Sequence, residues 1–320
     1  MTVTTLRDGG VTSRRAWTGP GDRRELQWCT GGVAMSEVPS TGAARGGVAA
    51  RLEALRARLR AEPKVLVAYS GGADSALVAA VAAAELGDAA VAVTAVSASL
   101  PARERRAARE FARAHGITHV EVATDELDRP EYVANSGDRC FHCKTALLDV
   151  LVPLAGLSGA AIALGTNVDD LGDHRPGRRA ATLRGAIAPL VDAGLTKADV
   201  REASALLGLE TAAKPAAACL SSRVAYGDPV TAEVLARIEA AEEALRDMGF
   251  PTCRVRAHAD GTVARLEVPA GDHDRVSAVR AEIDAAVRGA GFAFCALDLQ
   301  PFRSGRLNVL LGLPTVSPAS

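Results

Sequence analysis

The residues with the types and spacing for chemistry fall into three groups. The first is Ser-Gly-Gly-Ala-Asp-Ser at residues 70–75. Gly71 and Gly72 allow positive φ and let a backbone approach a ligand closely. A helix beginning just after them would offer free N–H groups and a partial positive charge to an anion. Ser70 and Ser75 add hydroxyl donors, and Asp74 is placed to orient the loop or to hold Mg²⁺. The Lys-Ser/Thr ending of a P-loop is missing, so γ-phosphate transfer is not the natural chemistry.

The second group is GTNVDDLGDHRPG at 165–177, where Asn167, Asp169 and Asp170 could face a nucleotide or its metal. By itself the segment also reads as an Asx-rich surface turn. The third group is made of cysteines. Cys140 and Cys143 stand in C-x-x-C spacing within DRCFHCK, and Cys219 lies in KPAAACLSSR. Two thiolates three residues apart can bind one metal centre. A structural zinc would need four ligands, and there is no second C-x-x-C. A redox pair at a helix N-terminus, an iron–sulfur cluster with Cys219 as a further ligand, and unrelated thiols all stay open. Beside Arg223 and Lys214, Cys219 would be more acidic than an ordinary thiol. The plainer alternative is a small buried hydrophobe. Arg254 and Arg256 alternate in CRVRAH and share one face of an expected strand.

The elements that must position these groups follow from periodicity. A helix over VAARLEALRARLRA leads into strand KVLVAY, whose end is the first motif. A helix over 74–86 closed by Gly87, strand VAVTAV, helix PARERRAAREFARAHG and strand THVEVAT come next, and strand AAIALG runs into the second motif. Pro101 and Gly116 are the expected helix punctuation. Apolar strands alternating with helices imply a parallel sheet covered on both faces, with ligands bound at the carboxyl ends of its strands. After about residue 225 the grammar changes to a helix (230–248), strands CRVRAHA and VARLEV, a helix (273–289), and strands FAFCALDL and RLNVLLG. The expected organisation is a disordered extension at 1–46, an α/β domain at 47–224 and a small α+β domain at 225–320. Met35 is expected as an alternative start within the extension.

Bulk properties narrow the function classes. The chain has 320 residues, is 48% hydrophobic and carries a formal net charge of -1. No global field draws it to nucleic acid. Aromatics at 3% leave few stacking platforms for single strands. No run has the length and apolarity expected of a membrane span, and no apolar leader is seen. Six unevenly spaced cysteines fit a reducing cytoplasm.

The hexapeptide at 70–75 is the signature of the PP-loop ATP pyrophosphatases, which hold the β,γ-pyrophosphate in this loop and transfer AMP to a substrate oxygen. SGGADS, RCFHCK, GTNVDDLGDHRPG, KPAAACLSSR and RVRAH, in that order, resemble the LarE family over roughly residues 50–270. These are ATP-dependent sulfur transferases of nickel-pincer cofactor synthesis. The resemblance implies a PP-loop α/β fold, a doubly wound parallel sheet with a smaller C-terminal domain, using ATP and Mg²⁺. Ser70, Gly71, Gly72, Asp74, Ser75, Asn167, Asp169 and Asp170 would hold the nucleotide. The substrate would be pyridinium-3,5-biscarboxylic acid mononucleotide, each carboxylate being adenylated and then converted to a thiocarboxylate, on the way to the lactate racemase cofactor. Two sulfur strategies are implied. In one, the cysteine matching Cys219 gives up its own sulfur and becomes dehydroalanine. In the other, it joins a C-x-x-C pair around a four-iron, four-sulfur cluster that carries an extra sulfide. With Cys140, Cys143 and Cys219 the chain resembles the second type. Arg223, Arg254 and Arg256 match arginines lining the substrate or phosphate site. Apart from the resemblance, one of Glu239, Glu242 and Glu243 on the preceding helix is a candidate ligand or metal contact, as is Glu267 in VARLEV, the plainer alternative being solvated acidic residues. Cys253 and Cys295 look like strand core, and Cys29 is given no role. A homo-oligomer is expected by resemblance, without nucleic acid or membrane partners. The rivals are a PP-loop tRNA thiolase, a non-catalytic nucleotide-binding sensor of iron or redox state and, more weakly, an ammonia-using synthetase.

Overall fold

The computed structural model describes residues 47–171, 184–215 and 218–303, together with 307 and 309. The expected extension at 1–46, the second motif from Gly172 onward and most of the expected strand at 306–312 lie outside the described residues. The described residues belong to one compact unit.

Four short strands build a parallel sheet: β1 (Val65–Ala68), β2 (Ala90–Val96), β3 (His119–Ala123) and β4 (Ala161–Leu164), in the order β3-β2-β1-β4. Alternate side chains along β1 enter different cores. Val65 and Val67 join Leu55 and Leu59 of α1 (Val48–Arg60) and Leu77 of α2 (Ala73–Leu86). Leu66 points the other way, to Val93, Ile162, Leu164 and the buried Leu148 and Leu151 of α5 (Arg139–Ser158). Burial on both faces explains why these strands read as continuous apolar runs. The helix over 102–114, α3 (Ala102–Ala114), packs its Ala108, Phe111 and Ala112 into the first of these cores. The short α4 (Pro130–Val133) precedes α5.

The chain leaves β1 for β2 and β3 on one side and returns to β4 on the other. The strand order therefore reverses between β1 and β4, where an open α/β sheet splays its loops and leaves a crevice. Both expected ligand-binding turns leave the sheet there.

Two helices were not legible. α5 begins within the C-x-x-C motif and carries Pro153. It is long and apolar enough to cross a membrane, yet Leu148 and Leu151 are fully buried against the sheet, making it a covering helix with Leu157 outward. After a short α6 (Pro189–Asp192) comes α7 (Lys197–Leu206), started by a capping box in which Thr196 and Asp199 exchange hydrogen bonds.

A second sheet follows α8 (Ala232–Asp247). β5 (Arg254–His258) pairs antiparallel with β6 (Val263–Glu267), and β7 (Phe294–Leu297) pairs parallel with β6. The expected helix at 273–289 is two helices, α9 (His273–Ala278) and α10 (Arg280–Gly289), interrupted where Val279 leaves helical geometry at φ -110° and ψ 30°. The core between α8 and this sheet also takes in Tyr132, Leu220 and Val224. The Cys219 segment is thereby packed against it, and the Ala225 N–H donates to the Ala257 carbonyl at 2.9 Å.

Candidate active site

Tyr69 to Gly72 carry the chain from β1 into α2. Gly71 takes φ +71°, and a Cβ there would meet the Ala108 side chain at 3.0 Å. The loop is braced by its own hydroxyls. Ser75 Oγ accepts from Ser70 N at 3.2 Å, donates to the Gly72 carbonyl at 3.1 Å and lies 3.1 Å from Ser70 Oγ. Gly72 is the N-cap of α2, and no side chain caps that end, which leaves it shaped for an anion. Across the crevice Gly165 presses on α2; a Cβ on it would fall 2.7 Å from Ser75 N.

The second motif meets the first through side chains. Asn167 Nδ2 donates to Asp74 Oδ1 at 3.0 Å. Asn167 Oδ1 accepts the Asp169 N–H, and the Asn167 N–H donates to Asp170 Oδ2 at 3.1 Å. This is an Asx turn, the plainer of the two sequence readings, and the same turn supplies the contact to the glycine loop. Two lysines reach these residues. Lys197 Nζ lies 2.5 Å from Asp74 Oδ2. Lys214 Nζ lies 2.8 Å from Glu104 Oε2 and donates to the Gly71 carbonyl at 2.9 Å. Sequence reasoning missed Lys197, because nothing in LTKADV marks it until α7 brings it back to the crevice. Lys214 was read only as a neighbour of Cys219. Here it clasps the glycine loop.

The thiols lie at the start of α5 and at the turn beyond Lys214. Cys140 and Cys143 occupy the first turn of α5, Cys140 exposed and Cys143 half-buried. Burial pushes the Cys143 thiol up to about 12, with the nearby Cys219, Glu126 and Cys140 adding to the effect and Lys144 opposing it. Cys219 caps a short turn at Leu220–Arg223, and the Leu220 N–H donates to the Ser99 carbonyl at 2.8 Å, just beyond β2. Among the described residues these thiols are not drawn into a preformed metal site. Glu126, which the sequence did not flag, is buried there and accepts from the Ser97 and Ser99 hydroxyls. Tyr132 Oη lies 2.5 Å from Ser221 Oγ.

The three expected arginines differ in what they are free to do. Arg223 is 3% exposed. Its Nε and one terminal nitrogen donate to Glu242 at 3.0 and 3.3 Å, and the other donates to the Ala218 and Cys219 carbonyls at 2.6 and 2.9 Å. In this structure it holds the backbone of the cysteine turn. Arg256 is equally enclosed: it pairs with Glu267 at 2.8 Å and donates to the Ser222 carbonyl at 3.0 Å. Arg254 is half-buried over the Phe302 ring at 5.0 Å, donates to the Cys253 carbonyl and, among the described residues, has no carboxylate in ion-pair range. Burial, then the charge of Arg223, pulls its guanidinium down to about 10. An arginine so loaded favours an anion.

The expected acidic contacts are mostly structural. Glu239 accepts the Ala102 N–H at the start of α3, and Glu243 pairs with Arg246 at 3.0 Å. Glu242 is enclosed by Arg223, Arg246 and the Val255 N–H, and Glu267 by Arg256 and Arg265. Cys253 is fully buried just before β5, its thiol pushed up to about 11 by burial and then by Glu242, while Cys295 in β7 is half-buried.

Residues 49–136 match the asparagine synthase family model. A curated pyridinium-3,5-bisthiocarboxylic acid mononucleotide synthase from Lactiplantibacillus plantarum is 35% identical over 82% of this chain and 95% of its own length. An uncharacterized protein from Synechocystis is 42% identical over 82% of this chain and 98% of its own length. An uncharacterized protein from Methanocaldococcus jannaschii is 28% identical over 54% of this chain and 67% of its own length.

Proposed function

Since the chain belongs to the LarE family of PP-loop, ATP-dependent sulfur transferases, we propose that it converts both carboxylates of pyridinium-3,5-biscarboxylic acid mononucleotide to thiocarboxylates. One observation carries the reading. The glycine loop after β1, the Asn167 turn after β4 and the Cys219 segment tied to Ser99 after β2 converge at the carboxyl edge of one parallel sheet.

A substrate carboxylate oxygen attacks the α-phosphorus of ATP. The acyl–O–P bond forms and pyrophosphate leaves into the loop built by Ser70, Gly71, Gly72 and Ser75, with Lys197 and Lys214 offsetting its charge. Asp74, with Asn167, Asp169 and Asp170 behind it, is the carboxylate on hand for Mg²⁺. Lys197 occupies one of its oxygens and is the built-in cation when no metal is bound. Sulfur then attacks the acyl carbon, the C–S bond forms, and AMP leaves with the electrons of the C–O bond. Arg254 takes an anionic group of the substrate, while Arg223 and Arg256 hold the turn that carries Cys219.

The thiol set fits a four-iron, four-sulfur cluster. The donors are soft, and the half-buried Cys143 is hard to ionise without a cation beside it. Cys140, Cys143 and Cys219 would hold the cluster, which when bound supplies the sulfide that is transferred. We place the adenylating residues in a domain at 47–224 and the arginine-bearing sheet in one at 225–320. The setting is the reducing cytoplasm, and the protein is a homo-oligomer.

The test is anaerobic incubation with ATP and the biscarboxylic mononucleotide. Pyrophosphate release and an oxygen-to-sulfur mass change in the substrate are expected, with iron and sulfide bound to the wild type and lost in Cys219→Ala. No pyrophosphate release would overturn the adenylation. A colourless, iron-free protein that transfers sulfur and keeps dehydroalanine at position 219 would overturn the cluster.

A further inference from the structure

The described residues include three arginines with 5% exposure or less: Arg139, Arg223 and Arg256. Two of them have a buried carboxylate, Glu242 for Arg223 and Glu267 for Arg256. Arg139 has none in ion-pair range among the described residues. Its nearest acid in sequence, Asp138, turns its oxygens to Ser136 and His142. Arg139 donates instead to the neutral Asn135 Oδ1 and lies over the Tyr226 ring at 5.6 Å. It is also the first residue of the 20-residue α5, where the helix dipole already repels a cation. Burying a charge without a counter-ion is strongly unfavourable, and such a group is kept where a ligand completes it.

Its surroundings say where that ligand lies. Cys140 follows Arg139 directly. Tyr226, whose ring lies under the guanidinium, stands seven residues beyond Cys219, so Arg139 packs against the segment that carries that thiol. Asn135 fixes the arrangement from below. It takes φ +54°, and its Nδ2 donates to the Ala225 and Asp228 carbonyls at 2.7 and 2.9 Å, joining the start of α5 to the turn beyond Cys219.

We infer that Arg139 binds the carboxylate of the substrate that is not reacting. The inference rests on the proposed reaction, in which a ring with two carboxylates is processed one arm at a time. While one arm is joined to AMP near Cys219, the other lies across the ring and must sit nearby. A guanidinium accepts a carboxylate in the first round and a thiocarboxylate in the second, since both are planar anions with two acceptor atoms. Arg139 is therefore a specificity residue for a meta-dicarboxylate, distinct from Arg254.

The experiment is calorimetric titration of the full-length protein with pyridine-3,5-dicarboxylate and with nicotinate, which lacks the second arm, alongside ATP titration as a check on folding. One charge-assisted pair predicts that wild type prefers the dicarboxylate by about ten- to a hundredfold. Arg139→Gln should bind both probes equally and ATP normally. Arg139→Lys, which keeps charge and bulk if the glutamine variant fails to fold, should retain a reduced preference. With the mononucleotide, Arg139→Lys should raise KM more than it lowers kcat and should accumulate the monothio product. Equal binding of both probes by wild type, or an undiminished preference in either folded variant, overturns the inference. Failure of the proposed reaction shows separately, as absent pyrophosphate release.

Discussion

Removing Glu242 isolates what the buried arginine network does. Glu242 is 1% exposed and receives Arg223 at 3.0 and 3.3 Å, Arg246 at 2.7 Å and the Val255 N–H at 3.2 Å. Glu242→Ala leaves Arg223 buried without its counter-charge, a change that typically costs about 3–5 kcal/mol. For a domain of this size that corresponds to a fall in Tm of roughly 6–20 °C. The loss should not stay local, because the same guanidinium holds the Ala218 and Cys219 carbonyls. Scanning calorimetry and bound-iron assays on the same preparation should therefore fall together. Glu242→Leu combined with Arg223→Met removes both charges and should be less destabilising than either single change. The acid limb of stability reports the same pairing. Burial alone would raise the Glu242 carboxyl, but the charge and hydrogen bonds of Arg223 outweigh it and hold it below the ordinary range. A depressed carboxylate stabilises the fold above its unfolded-state value and loses that stabilisation as pH falls through its folded value. Glu242→Gln should flatten the acid limb of Tm against pH. A Glu242→Ala protein within about 1 kcal/mol of wild type would refute the reasoning, since that is the scale of an exposed pair.

Two further outcomes concern the proposed nucleotide site. Gly165→Ala places a Cβ 2.7 Å from the backbone of Ser75, and relieving such overpacking costs about 1–3 kcal/mol. Calorimetry should show a lower Tm together with weaker ATP binding, whereas Gly156→Ala, with open space around it, should be neutral or stabilising. Lys197→Met leaves Asp74 facing the polyphosphate without its 2.5 Å partner. ATP affinity at low Mg²⁺ should fall about tenfold and recover as Mg²⁺ is raised; unchanged affinity at low Mg²⁺ would exclude the lysine from the pocket.

The parts legible in the sequence were those with local causes. The parallel sheet showed as apolar runs because its strands are buried on both faces, and the glycine loop showed because Gly71 needs positive φ. α5 was hidden because its apolar residues serve both burial and outward exposure, with Leu148 buried and Leu157 exposed, so no clean stripe appears. The break at Val279 was hidden because nothing in RVSAVRAE resembles a stop. Arginine roles were hidden for a different reason. Arg223, Arg254 and Arg256 look alike as residue types, and only the positions of Glu242 and Glu267, brought in by α8 and β6, separate the paired ones from Arg254. Lys197 became visible only when α7 returned to the crevice, and Glu126 only when the turn after β3 met the Ser97 and Ser99 hydroxyls.

The placement of the Cys219 segment bears on how activation and sulfur delivery are joined. One end is bonded to the parallel sheet through Leu220 and Ser99, and the other to the second sheet through Ala225 and Ala257. Between them Arg223 and Arg256 grip the carbonyls of Ala218, Cys219 and Ser222. A segment fixed at both ends and in the middle has little freedom to carry sulfur across a distance, so the proposed reaction places the acyl-adenylate where Cys219 already lies. That requires the ATP loop to be set close to it. Lys214 meets the requirement: five residues before Cys219, it clasps the carbonyl of Gly71. Lys214 thus ties the glycine loop to a residue only five positions from Cys219 in sequence. In the proposed reaction the sulfur site is built onto the adenylating sheet itself, with the second sheet as its brace.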